Sequence, residues 1–224
     1  MNEQLAFSLA KKINISLEQV VREEYEIIIL KKLFESDLGK YFVFKGGTAL
    51  RLAYGSSRFS EDLDFSVVKS FKRNQLKQLL KEIDDQDSNL QLNQALQKKN
   101  TYFALFKVKQ DFLPQAFSIK FEASVRPIAW KKNIDYQLAT LNSQVTSLTV
   151  LAQVASLKRI NKDKKRIKPL RIRDIFDLWF ISQKLGSQFQ LDFSSWPAKI
   201  VKRELNKYLP LKERELISQW LPEK

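Results

Sequence analysis

Leu17, Val20, Val21, Ile27, Ile28, Leu30 and Phe34 recur at mostly helical spacing over residues 16–36, and Ser16 stands where it can cap the first turn, so this segment predicts a helix laid on the core. YFVFK at 41–45 is aromatic and β-branched and stops at Gly46 and Gly47, the pattern of a short buried strand entering a tight turn. TALRLAY at 48–54 then reads as a helix closed by Gly55. In DLDFSVV at 62–68 the alternation puts Asp62, Asp64 and Ser66 on one face of a strand and Leu63, Phe65 and Val67 on the other. Residues 71–83 predict an amphipathic helix, whereas 84–100 is polar and predicts only a turn around 84–89. TYFALFKVK at 101–109 and FSIKFEASV at 117–125 predict two strands joined by a turn containing Pro114. Beyond Pro127 helical periodicity dominates, with helices expected over 148–160, 174–184 and 197–208. The expected fold class is therefore α+β: a small mixed sheet with helices over residues 1–130, then a helical region over 131–224, the junction falling at 127–145.

Two segments of this framework carry chemistry. Consecutive glycines at a strand-to-helix turn let backbone amides approach an anion with no Cβ in the way, and the helix start directs its positive end to the same place. Thr48 adds a hydroxyl, so Gly46, Gly47 and Thr48 form a candidate phosphate cradle. Fourteen residues after Thr48, Asp62 and Asp64 present two carboxylates on one strand face, the hard oxygen donors that magnesium takes. Two such ions would suit in-line displacement at the α-phosphate of a nucleoside triphosphate. Glu122 is the candidate third carboxylate, because Ile119, Phe121, Ala123 and Val125 share the apolar face of their strand while Lys120, Glu122 and Ser124 share the other. A lone Gly pair is ordinarily a turn and a lone Asp-x-Asp an exposed pair; their succession at this spacing is what favours function.

Composition narrows the options further. The 224 residues contain no Cys and no His, which removes zinc sites, Cys nucleophiles, His bases and Ser-His-Asp triads. Absence of Cys also fits a reducing compartment, and neither a signal peptide nor a run of roughly 20 apolar residues is present, so a cytoplasmic location without membrane association is expected. The 39 Lys and Arg against 25 Asp and Glu give a formal charge of +14, which attracts polyanions, nucleic acid first among them. Nine Lys or Arg and one Asp fall between Lys158 and Arg173. That segment is a candidate RNA-backbone contact, its plain alternative being a solvated loop between helices.

The stretch KGGTALRLAYGSSRFSEDLDFSV, Lys45 to Val67, resembles the signature of the AbiEii/AbiGii toxin family of nucleotidyltransferases, which includes the MenT toxins. RIKPLRIRDIFDLWF, Arg166 to Phe180, is similar to that family's second signature. The resemblance implies a polymerase-β-like catalytic domain followed by a helical domain, with the active site in the cleft between them. It further implies transfer of a nucleotide from an NTP to RNA, notably to tRNA 3′ ends, and a cognate antitoxin as partner. By the same resemblance Gly46, Gly47 and Thr48 match the phosphate-binding element and Asp62 and Asp64 the metal pair. Lys45, Arg58 and Ser60 match accompanying positions with triphosphate or structural roles, and Asp174 and Asp177 match the second signature. Asp174 and Asp177 also suit a helix start on their own, and with Arg171 and Arg173 beside them an ion-pair network is as natural an expectation as direct catalysis. The family carries a lysine in the preceding helix, in a Leu-Ala-Glu-Lys-Leu pattern; here LAQVASLK has Gln153 and Val154, and Lys158, one helical turn on, is the candidate to reach the cleft. A protein or small-molecule acceptor, or a nucleotide-binding module without turnover, are the alternatives.

Overall fold

The computed structural model describes residues 1–221. Two helices come first, α1 (Glu3–Ile13) and α2 (Leu17–Glu35), their first turns capped by the side chains of Asn2 and Ser16. Strand β1 (Phe42–Lys45) runs directly into α3 (Gly46–Tyr54), which Gly55 ends in the left-handed conformation at φ 75°. Strand β2 (Asp62–Val67) and helix α4 (Arg73–Asp84) follow. Five further strands, β3 (Leu90–Lys98), β4 (Thr101–Val108), β5 (Phe117–Ser124), β6 (Tyr136–Leu141) and β7 (Val150–Ala155), precede the helices α5 (Leu157–Lys164), α6 (Ile172–Leu185), α7 (Ala198–Asn206) and α8 (Leu211–Ile217).

Among the described residues seven strands form one mixed sheet in the order β3, β4, β5, β2, β1, β7, β6. The β2–β5 and β1–β7 pairs are parallel and the other pairs antiparallel. Phe42, Phe44, Phe65 and Phe121 point to one face and pack against α2 and α4, each 1% exposed or less. The Phe65 and Phe121 ring centroids are 4.6 Å apart. Burial of side chains this large stabilises by roughly 1.5–3 kcal/mol each, so this aromatic layer fixes the sheet's apolar face. On the opposite face Val43, Leu50, Ala155, Ile160 and Ile181 join β1, α3, β7, α5 and α6 into a second apolar cluster. Ile172, Ile175, Phe176, Val201, Leu205, Leu209 and Ile217 build a separate core for the C-terminal helices.

The α+β class, the mixed sheet and the C-terminal helices match expectation, but the helical region begins at Leu157 and not at residue 131. Residues 136–155 supply β6 and β7 to the sheet. The helix expected over 148–160 is instead a strand followed by a helix. Val150, Ala152 and Val154 alternate with Leu151 and Gln153 in burial, and Val154 pairs with Phe44 of β1 inside the sheet. Leu151 is apolar yet 63% exposed, which gives the segment its false helical spacing. The unassigned 90–98 segment is an edge strand with an irregularity between Leu92 and Gln94, its polar composition explained by exposure. No helix among the described residues is long and apolar enough to cross a membrane.

Candidate active site

Register brings the carboxylates together. In the parallel β2–β5 pair Asp62 lies opposite Lys120 and Asp64 opposite Glu122, and in the antiparallel β1–β2 pair Lys45 lies opposite Asp64. All five side chains therefore share the sheet face turned away from the phenylalanine layer. They line one wall of a cleft of about 450 Å³. Its other wall comes from α5, α6 and the connection between them, with Arg159, Lys164, Arg166, Arg171 and Arg173.

Gly46 is obligatory in the cradle. Its φ of 84° is left-handed, and a Cβ there would lie 2.5 Å from Asp64 Oδ2. Gly47 is roofed by Ser60 and by the Arg58 guanidinium; a Cβ would stand 2.8 Å from Ser60 Oγ. The first turn of α3 has no side-chain cap, leaving its amides for an anion. Thr48 does something else. Its buried hydroxyl donates to the Asp62 carbonyl at 2.6 Å and does not line the cleft, so it pins α3 to the start of β2.

Burial pushes the Asp64 carboxyl up from its ordinary range, and the charges of Asp62 and Glu122 push it further, while Lys45 and Lys120 partly offset the rise. Such a cluster favours a bound cation. Asp62, Asp64 and Glu122 are all-oxygen donors and fit magnesium in kind. As they stand, no group of three carboxylates among the described residues is gathered for coordination. The Lys120 ammonium lies among them instead, 3.2 Å from Asp62 Oδ2 and 3.5 Å from Glu122 Oε2.

Beneath the cleft runs a buried ion-pair chain. Arg58 donates to both oxygens of Asp177, at 2.7 and 2.9 Å. Lys164 Nζ lies 2.6 Å from Asp177 and 3.1 Å from Asp174, and Arg171 donates to both oxygens of Asp174. Burial opposes ionisation of Asp174, but Arg171 and Lys164 outweigh it and take the carboxyl down to about 2. Asp177 is likewise held low by Arg58 and Lys164 against the effect of burial. Asp177 is outside the cleft lining and acts on the site through Arg58, whereas Asp174 reaches the cleft at its base. Lys158 is exposed on α5 and lines nothing; Lys164, almost two turns further on, is the lysine that arrives. Val154, buried in β7, is no counterpart of a helical lysine.

Composition and periodicity missed Arg126 and Trp130, and reached Arg159 and Lys164 only as members of the basic segment and Lys120 only as a neighbour of Glu122 on its face; all five line the cleft. The Arg159 guanidinium lies 3.8 Å over the Trp130 ring and bonds Asp135 at 3.2 Å. Ser156, which caps α5 by accepting from the Arg159 amide, was the available signal: a helix started there turns Arg159 inward.

The fold is shared with known structures. JHP933 from Helicobacter pylori is 22% identical, with 92% of this chain and 80% of that chain covered at a TM-score of 0.56. The nucleotidyltransferase toxin MenT4 from Mycobacterium tuberculosis is 16% identical, with 91% and 68% covered at a TM-score of 0.56. At these identities the likeness is one of fold. No curated protein sequence matches the chain. The profile of the family described as nucleotidyl transferase AbiEii toxin, type IV toxin–antitoxin system, matches residues 28–217 and so takes in the cradle, the carboxylate strands and both ends of the ion-pair chain. The chain belongs to the AbiEii family of nucleotidyltransferase toxins.

Proposed function

We propose that this toxin transfers a nucleoside monophosphate from an NTP to a hydroxyl of RNA, at a tRNA 3′ end, with magnesium and with release of pyrophosphate, and that a cognate antitoxin opposes it in the cytoplasm. The observation that carries this reading is the facing of two opposite surfaces across one cleft: an uncapped helix start with a carboxylate trio on one side, a wall of arginines and lysines on the other. Gly46 and Gly47 would take the phosphates through backbone amides, with Lys45 and Ser60 beside them. Asp62, Asp64 and Glu122 would hold magnesium, which when bound neutralises the triphosphate and favours ionisation of the attacking hydroxyl. The hydroxyl oxygen forms its bond to the α-phosphorus as the bond to the pyrophosphate oxygen breaks, and the hydroxyl proton leaves to the surrounding carboxylates and solvent. Arg58, fixed by Asp177, keeps the roof of the cradle in place. Asp174, with Lys164 and Arg171, sets the base of the opposite wall. Arg126, Arg166 and Arg173 would meet the acceptor backbone, affording affinity without sequence information.

The test is incubation with total tRNA, magnesium and each α-labelled NTP in turn. Label should pass to tRNA with one or more nucleotides, vanish on chelation, and fall at least a hundredfold in the Asp62→Ala, Asp64→Ala protein, roughly 3 kcal/mol of barrier or more. Label on protein or small molecules but not on RNA would transfer the reading to a different acceptor.

A further inference from the structure

Lys120 stands where the carboxylates would otherwise face one another unshielded. It precedes Glu122 by two residues, so the strand period puts both on the cleft face of β5, and the β2–β5 register sets it opposite Asp62. Its ammonium contacts Asp62 and Glu122 together. The side chain is 35% exposed, so it is neither sealed in the core nor free in solvent. An ammonium is a compact point charge with three donors, able to bridge two carboxylates much as a small cation does. A divalent ion bridging Asp62 and Glu122 would have to share this space with it, and like charges at such separations repel strongly wherever water is scarce.

We propose that Lys120 is a built-in counter-ion for the carboxylate face, standing in for a second divalent cation, so that Asp62, Asp64 and Glu122 hold a single ion between them. The proposal rests on the metal-dependent reading above and adds to it a stoichiometry. A lysine cannot act as a Lewis acid. Its contribution is fixed charge and hydrogen bonds, which keep Glu122 oriented and lower repulsion among the three acids. Asp64 lies opposite Glu122 across the strand pair, while the Lys120 ammonium contacts Asp62 and Glu122.

Manganese alone serves as the probe, counted by electron paramagnetic resonance on the full chain. The natural protein should saturate with one Mn2+ per chain, showing the signal of an isolated ion. Lys120→Met should admit a second, doubling the count, with spin coupling between neighbouring ions. Lys120→Arg, which keeps the charge, should hold one. Two coupled ions in the natural protein would overturn the counter-ion role and leave the metal-dependent reading standing, and so would a single ion in Lys120→Met. Failure of the natural protein to bind any Mn2+ would remove both ideas. Because two coupled ions in the natural protein would overturn the role without any variant, the test survives poor folding of a substituted chain.

Discussion

At the scale of single residues the site is held by commitments that leave little freedom. Gly46 combines a left-handed backbone with a side of Asp64 that a methyl group would strike, so Gly46→Ala should lose about 1–3 kcal/mol of stability and most nucleotide affinity. Thermal melting and binding of a fluorescent NTP analogue would check both. Asp174 has its carboxyl depressed to about 2 in the folded chain, against 3.8 for the free group. A depressed acid contributes stability that is complete above its unfolded value and is lost as pH falls through the folded one. Denaturation midpoints taken between pH 5 and pH 2 should therefore fall more steeply for the natural protein than for Asp174→Asn; parallel curves would contradict the pairing. Much of this was legible beforehand: period-2 spacing alone set Asp62 and Asp64 on one face, and the proximity of Arg171 to Asp174 suggested a network. Lys120 was visible on the face of Glu122, but its position among the acids depends on which strand lies alongside.

Elements were read well where a turn signal or a clear alternation marks them: β1, apolar on both sides, ends at a Gly pair, while β2 and β5 have one apolar and one polar face. Strand β7 does not, because it lies between β1 and β6 and presents apolar side chains in both directions. Strand β6 is mostly exposed and carries no alternation strong enough to announce it. The cost of misreading β7 was carried into the site, since a helix running through Val154 selects Lys158 where a helix starting after Ser156 selects Lys164. The two lysines make opposite predictions. Lys164→Ala leaves Asp174 and Asp177 short of a buried partner and should cost about 3–5 kcal/mol in urea unfolding together with transfer activity, whereas Lys158→Ala should change neither by more than about 0.5 kcal/mol.

Over the whole molecule, the excess positive charge has a definite place. Lys162 on α5 and Lys165 and Lys168 on the connection to α6 are exposed, beside the arginine-lined wall. Changing these three to Gln should leave the unfolding midpoint unaltered and make the dependence of RNA binding on salt shallower by about 2 in log–log slope, at roughly 0.7 per phosphate contact on a single strand. An unchanged slope would assign them to solvent. Strand order was beyond the reach of pattern, because residues distant along the chain decide it: β2 has β5 on one side and β1 on the other, and β1 has β7. The loop bearing Arg58 and Ser60 has a similar long-range dependence. The Phe59 amide donates to the Tyr208 carbonyl at 2.8 Å, and the Tyr208 hydroxyl donates to Glu61, 147 residues earlier. During synthesis that loop leaves the ribosome long before the tyrosine that clasps it. A chain interrupted between the two carries the cradle without this fastening, so the loop is clasped only once translation has passed Tyr208.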